Sequence, residues 1–170
     1  MSPLSKQLAN YQAQHTHSTN KLLHYIGIPV MLAGFLILLN WVWVSFSGYW
    51  NITFAWIATI ALLVYYYFLD AKLAAVMTVL LVILTLICTW IGYPKPTAVS
   101  LILFLIFFIG GIALQLIGHS FEENKSSYTQ DIAQLLIAPI FVVTDIIILL
   151  GLGKHFDLQE ETPAKPKNKQ

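Results

Sequence analysis

Charge is what this chain has least of. Only 10% of its 170 residues are charged, against 58% hydrophobic ones. Soluble domains carry about 25% charged residues. So little polar surface cannot coat a water-soluble globule, and the composition points to the membrane class. Arginine is missing altogether, since all nine basic residues are lysines. The bidentate reader of phosphates and guanine edges is therefore missing too. With a formal net charge of +1, no basic face for nucleic acid is visible. The single cysteine, Cys88, lies inside an apolar run, which excludes a disulfide framework and reads as a small buried apolar side chain. The polar stretch Met1 to Asn20 has no basic segment leading straight into an apolar one. No cleavable signal peptide is expected, and the first apolar segment should stay in the mature protein.

What the chain does have is long apolar runs. They cover about Tyr25–Ser47, Ile52–Leu69, Leu73–Tyr93, Thr97–Ile117 and Ile132–Gly151, each near the ~20 residues that cross a hydrocarbon core. Trp41, Trp43, Tyr49, Trp50, Tyr65 to Tyr67, Trp90 and Tyr93 gather at their ends, as in an interfacial belt. Ahead of them, Ser2-Pro3 reads as a helix start. Leu4, Leu8, Tyr11 and His15 then recur on one face of a short interfacial helix, and Ser18-Thr19-Asn20 offers a fresh cap. The expected fold is all-α: a polytopic membrane bundle of about five apolar helices plus the N-terminal interfacial helix. Its parts would be residues 1–22 (interfacial helix and histidine corner), 23–153 (transmembrane domain) and 154–170 (disordered polar tail). The lysines divide almost evenly between the two sides, so the positive-inside rule sets no orientation.

Three of the five histidines, His15, His17 and His24, sit in ten residues just before the first run. On one unbroken helix the nine residues from His15 to His24 turn about 900° and put the rings on opposite sides, so a break at Ser18-Thr19-Asn20 would help them meet. Counting crossings from His24 brings His119 back to the same side, with His155 on the other. Gln115, His119 and Glu123 stand at i, i+4 and i+8, one polar stripe if the helix runs on. Imidazoles with a carboxylate suit Fe(II) or Zn(II) rather than Ca(II) or Mg(II). Asn20 would cap a helix or steady a histidine ring, and Lys21 would meet a substrate carboxylate or snorkel to the interface. Asp145, in mid-segment, should face the bundle interior with a Tyr or Trp partner. Pro139 should bend that segment, and Gly110-Gly111 should permit close helix contact.

Taken together, Tyr11-x-x-x-His15, Asn20-x-x-x-His24-x-x-Gly27-x-Pro29, Gln115-x-x-Gly118-His119-x-x-x-Glu123-Asn-Lys and Ala138-Pro139-x-Phe141 resemble the motifs of the DUF962 family. The resemblance covers about residues 8 to 153. That family has a characterised fungal 2-hydroxy fatty acid dioxygenase. The resemblance implies Fe(2+)-dependent α-oxidation, in which a 2-hydroxy fatty acid reacts with O2 and loses one carbon at a lipid bilayer. It implies His15, His24, His119 and Glu123 as metal ligands, with Glu123 and Asn20 as catalytic candidates. His17, Gln115, Lys21 and Asp145 are further site candidates. Ser126-Ser127 departs from the family's usual Pro-Ala, which bears on loop geometry and substrate preference. Two other classes compete: a non-catalytic transporter or scaffold with incidental interfacial histidines, and a zinc-dependent lipid hydrolase.

Overall fold

The structure, a computed structural model, describes residues 17–46, 50–121 and 132–156. Within them run α1 (Ser18–Asn40), a hairpin of β1 (Trp43–Phe46) and β2 (Trp50–Thr53), α2 (Phe54–Leu69), α3 (Ala71–Gly92), α4 (Ala98–His119), α5 (Ile132–Leu149) and a 3-10 turn (Gly153–Phe156). The helical class expected from the sequence is what is seen, with one small antiparallel sheet added. The proposed N-terminal interfacial helix, with His15, and the tail beyond Phe156 lie outside the described residues.

Local chemistry sets the ends of these helices. Asp70 separates α2 from α3 and accepts from the Leu73 N–H at 2.9 Å, so one carboxylate caps the returning helix. Thr97 and Ser100 form a reciprocal capping box at the start of α4. α1 stops at Asn40, short of the Ser47 expected for the first run. Asn40 is fully buried, donates to the Leu36 carbonyl at 2.8 Å and accepts from the Thr53 hydroxyl at 2.8 Å. That side chain ties the end of α1 to β2. Residues 43–46 then pair antiparallel with 50–53, because alternating aromatic and β-branched side chains fit a pleated strand better than another helical turn.

α1 and α4 pack antiparallel at very short range. A Cβ on Gly34 would lie 2.6 Å from the Phe108 backbone nitrogen, and one on Gly111 would lie 2.6 Å from that of Met31. Small residues let the two backbones approach where no larger side chain fits. Gly110 faces the other way, with nothing within 4 Å of a Cβ, so only half of the Gly110-Gly111 pair serves the contact. α3 runs parallel to α1: Cys88 lies against the Ala33 carbonyl at 3.5 Å, and Gly92 lies against Ile37 and Asn40. α2 and α3 are joined mid-way by the Thr59–Thr85 hydroxyl bond of 2.8 Å. The beginning of α1, the end of α2, the beginning of α3 and the end of α4 therefore share one end of the bundle, here the His24 end. The hairpin marks the other.

Among the described residues three helices, α1, α3 and α4, are long and apolar enough to cross a membrane by themselves, against the five spans expected. α2 has 16 residues, about 24 Å at ~1.5 Å per residue against ~30 Å of hydrocarbon. α5 does not follow the expected course either. Ile137, Ile140, Phe141 and Ile147 pack with Tyr66, Leu73, Ala74, Met77 and Leu81, and Ala138 and Val142 pack on Ile28. Among the described residues, the cluster at the hairpin end (Ala33, Leu36, Ile37, Ala55 and Cys88, with flanking Leu84 and Phe104) takes nothing from α5. α5 thus lies against the His24-side half. Phe156 packs on the same cluster, so its neighbour His155 is not carried to the far side as the crossing count expected. The reason is that hydropathy measures burial, and a helix packed across the end of a bundle is as apolar as one that spans it.

Candidate functional site

α1 begins at Ser18 and runs without a break past residues 22 and 23. Its cap is not the Ser-Thr-Asn trio but the His17 ring, whose Nδ1 accepts from the Thr19 N–H at 3.2 Å. The same ring stacks on Phe121, centroids 5.6 Å apart, and so joins the start of α1 to the turn after α4. That turn matters for Glu123. α4 ends at His119, with Ser120 as its C-cap, so the helical continuation needed for the Gln115-His119-Glu123 stripe is not made. Glu123 itself lies outside the described residues, as does His15.

The antiparallel α1–α4 pair carries His24 and His119, 95 positions apart in the sequence, to one place. Their ring centroids are 4.8 Å apart and the planes stand at 87°. His24 is 3% exposed. Its Nδ1 lies 2.9 Å from the Asn20 carbonyl. A carbonyl only accepts, so Nδ1 carries the proton and the lone pair is left on Nε2. That is the arrangement by which an outer hydrogen bond fixes the tautomer of a metal-binding imidazole. Asn20 is fully buried, one turn before His24 within α1. It steadies a ring, one of its two expected roles, through its backbone.

Gly118 makes the meeting possible. A Cβ there would fall 2.6 Å from Asn20 Oδ1 and 3.2 and 3.3 Å from Nδ1 and Cε1 of His24. The motif Gly118-His119 is visible in the sequence, but the reason for the glycine is not. Its only trace is that Gly27 and Gly34 on α1, like Gly111 and Gly118 on α4, recur seven residues apart.

Gln115, one turn before His119, donates from Nε2 to the Met31 sulfur at 3.0 Å, a weak acceptor. Lys21 is half-buried in the first turn of α1. Asp145 is 8% exposed and accepts from the Tyr25 hydroxyl at 3.2 Å, so it has the tyrosine partner expected of it. It is tied to the neighbour of His24, about 100° round the helix from that ring, and anchors α5 to α1. Tyr66 anchors α5 from the other flank, its hydroxyl donating to the Leu136 carbonyl at 2.7 Å. Tyr25, Met31 and Phe121 were not singled out by sequence reasoning.

Two imidazoles bound to one ion through metal–nitrogen bonds of about 2.1 Å, near a right angle, place their centroids roughly 4.5–5 Å apart. The His24–His119 pair fits that spacing, and the Nδ1–H tautomer of His24 fits the donor requirement. Among the described residues no group of three or more His, Cys, Asp or Glu stands ready for a metal. The pair brings together two of the four residues that the sequence suggests as ligands.

A family model described as 2-hydroxy-palmitic acid dioxygenase Mpo1-like matches residues 1–149. The chain belongs to the Mpo1-like family. The match takes in α1 through α5, and with them both histidines of the pair and the Tyr25–Asp145 contact. No curated protein and no solved structure matches the chain.

Proposed function

We propose that this Mpo1-like chain is a multi-pass membrane dioxygenase that uses Fe(II) and O2 to shorten a 2-hydroxy fatty acid by one carbon. The observation that carries this reading is the perpendicular His24–His119 pair, 4.8 Å between centroids, in a family described by that class of oxygenase. The membrane setting is supported by the bundle's exterior. Leu101, Ile102, Leu105, Ile106 and Ile109 along α4 are all exposed, an apolar face far larger than a water-soluble monomer presents.

His24 and His119 would hold the iron, and His15 and Glu123 are proposed to complete the set. When bound, iron supplies the redox chemistry that lets O2 react with the 2-hydroxy acid. The overall change balances as one 2-hydroxy acid and one O2 giving the acid one carbon shorter, carbon dioxide and water. Asn20 is a positioning residue that acts through His24 by holding its Nδ1–H. Gln115 presents an amide beside the pair, and its bond to a thioether is weak enough to be exchanged for a substrate oxygen. Lys21, at the start of α1, places an ammonium where a carboxylate head would arrive from the interface.

The test is removal and restoration of iron from purified protein. O2-dependent shortening of 2-hydroxypalmitate should vanish with the metal and return with Fe(II) but not with Zn(II). Full activity in iron-free protein would overturn the reading.

A further inference from the structure

Between the helices lies a cavity of about 660 Å³, within the ~300–1,000 Å³ of ordinary ligand pockets. α1 contributes Ile28, Met31 and Leu36, α2 contributes Ala58 and Thr59, and side chains of α3, α4 and α5 complete the wall. The lining is almost wholly apolar, and its Thr59 hydroxyl is already paired with Thr85. Tyr65 is the one other lining residue with a hydroxyl, so the wall has no charged partner for an ion and suits a flexible hydrocarbon chain.

The cavity's α1 residues follow His24 along the helix. Its first α1 residue, Ile28, is one turn beyond His24. Met31, which accepts from Gln115, belongs to its wall. Its far end is Leu36 and Ala58, where Leu36 joins the packed cluster of Ala33, Ile37, Ala55 and Cys88. From His24 to Leu36 is twelve residues, about 18 Å of helix at ~1.5 Å per residue. An extended chain advances roughly 1.3 Å per carbon–carbon bond of ~1.52 Å. The distance along α1 from His24 to the far end of the cavity thus matches about fourteen bonds, a chain of roughly fifteen carbons.

We infer that this cavity takes the tail of the substrate acid, with the head at His24 and His119, and that Ala58 and Leu36 at its far end set the longest chain accepted. The inference rests on the proposed activity for the head group only, because the cavity itself recognises hydrocarbon. Each methylene withdrawn from the cavity should weaken binding about fourfold, from ~0.8 kcal/mol per buried CH2.

The test is binding of tritiated 2-hydroxypalmitate to the purified chain in detergent under argon, where no turnover occurs. Saturated 2-hydroxy acids of about ten to about twenty carbons serve as competitors. Ala58→Phe should weaken the palmitic chain roughly 250-fold, a loss of about four methylenes at that increment, and leave the twelve-carbon acid within about threefold of wild type. Ile60→Phe places the same ring on another face of the helix, where Ile60 is 57% exposed, and should change nothing. If Ala58→Phe binds no chain at all, Leu36→Ala decides, because opening the far end should move the optimum to longer acids. An unmoved optimum in both variants overturns the inference, as does displacement by phosphatidylcholine as effective as by the acids, which would make this a site for bilayer tails. A shifted ruler in a protein that never consumes O2 would refute the activity and keep the cavity. Turnover with no shift would do the reverse.

Discussion

Gly118→Ala adds one methyl group at the closest point of the α1–α4 contact. The new Cβ would stand 2.6 Å from Asn20 Oδ1 and within 3.3 Å of two atoms of the His24 ring, whereas non-bonded carbons rest about 3.5–4.0 Å apart. Neither neighbour can swing into open space, since Asn20 is fully buried and His24 is 3% exposed. The helices must part, or the ring must move by several tenths of an ångström. Overpacking of this kind costs about 1–3 kcal/mol, against the ~0.5–1 kcal/mol a helix gains when glycine becomes alanine. The catalytic cost should be the larger, because a misplacement near 1 Å at a reacting centre lowers rates by about a hundredfold. Gly110→Ala, with nothing within 4 Å of the new Cβ, isolates the propensity gain. Gly111→Ala, whose Cβ would meet Met31 at 2.6 Å, isolates helix separation away from the rings. Thermal unfolding in detergent, iron content and O2-dependent shortening of 2-hydroxypalmitate would be compared across the three. Gly118→Ala should lose iron and activity beyond what its stability explains. Wild-type iron and turnover in that variant would refute the reasoning.

Asn40→Ala removes the bond that ties the end of α1 to β2 together with the one to the Leu36 carbonyl, and leaves the buried Thr53 hydroxyl without its acceptor. It should cost about 1–3 kcal/mol with iron content unchanged, and unaltered unfolding would count against that anchor. Tyr25→Phe strips Asp145 of its hydroxyl donor and should cost about 1–3 kcal/mol. Asp145→Asn, still an acceptor, should cost less, and the opposite order in unfolding would argue against the contact. Thr59→Val breaks the α2–α3 hydroxyl bond and should cost only about 0.6 kcal/mol, as membrane interhelical bonds do; a loss above about 2 kcal/mol would mean that the cavity wall collapses.

Much of the site was legible because it follows from counting. Apolar runs with short breaks bring His24 and His119 to one end whatever the packing details, and they do meet. Details needing register or depth were not legible. Trp43 to Phe46 looks like the continuation of a span, since every residue but Ser45 is apolar and period distinguishes nothing there. α5 carries the hydropathy of a span yet packs on Tyr66, Leu73 and Ile28, which only contacts reveal. The cap on α1 was assigned to Ser, Thr or Asn by their ordinary preference, and a histidine ring supplies it instead. The i, i+4, i+8 stripe assumed a helix beyond His119, and Ser120 ends it. Gly118 stood in the motif, but its purpose needed the position of Asn20 across the helix pair.

The central claim is that His24 and His119 grip a single iron. Metal analysis of wild type beside His24→Ala and His119→Ala, each purified folded and reloaded with Fe(II) under argon, addresses it most directly. About one iron per chain in wild type, with a 10- to 100-fold weaker hold or worse in both variants, is the expected result, since even the outer partners of a metal site carry effects of that size. Undiminished iron in either variant would contradict the account.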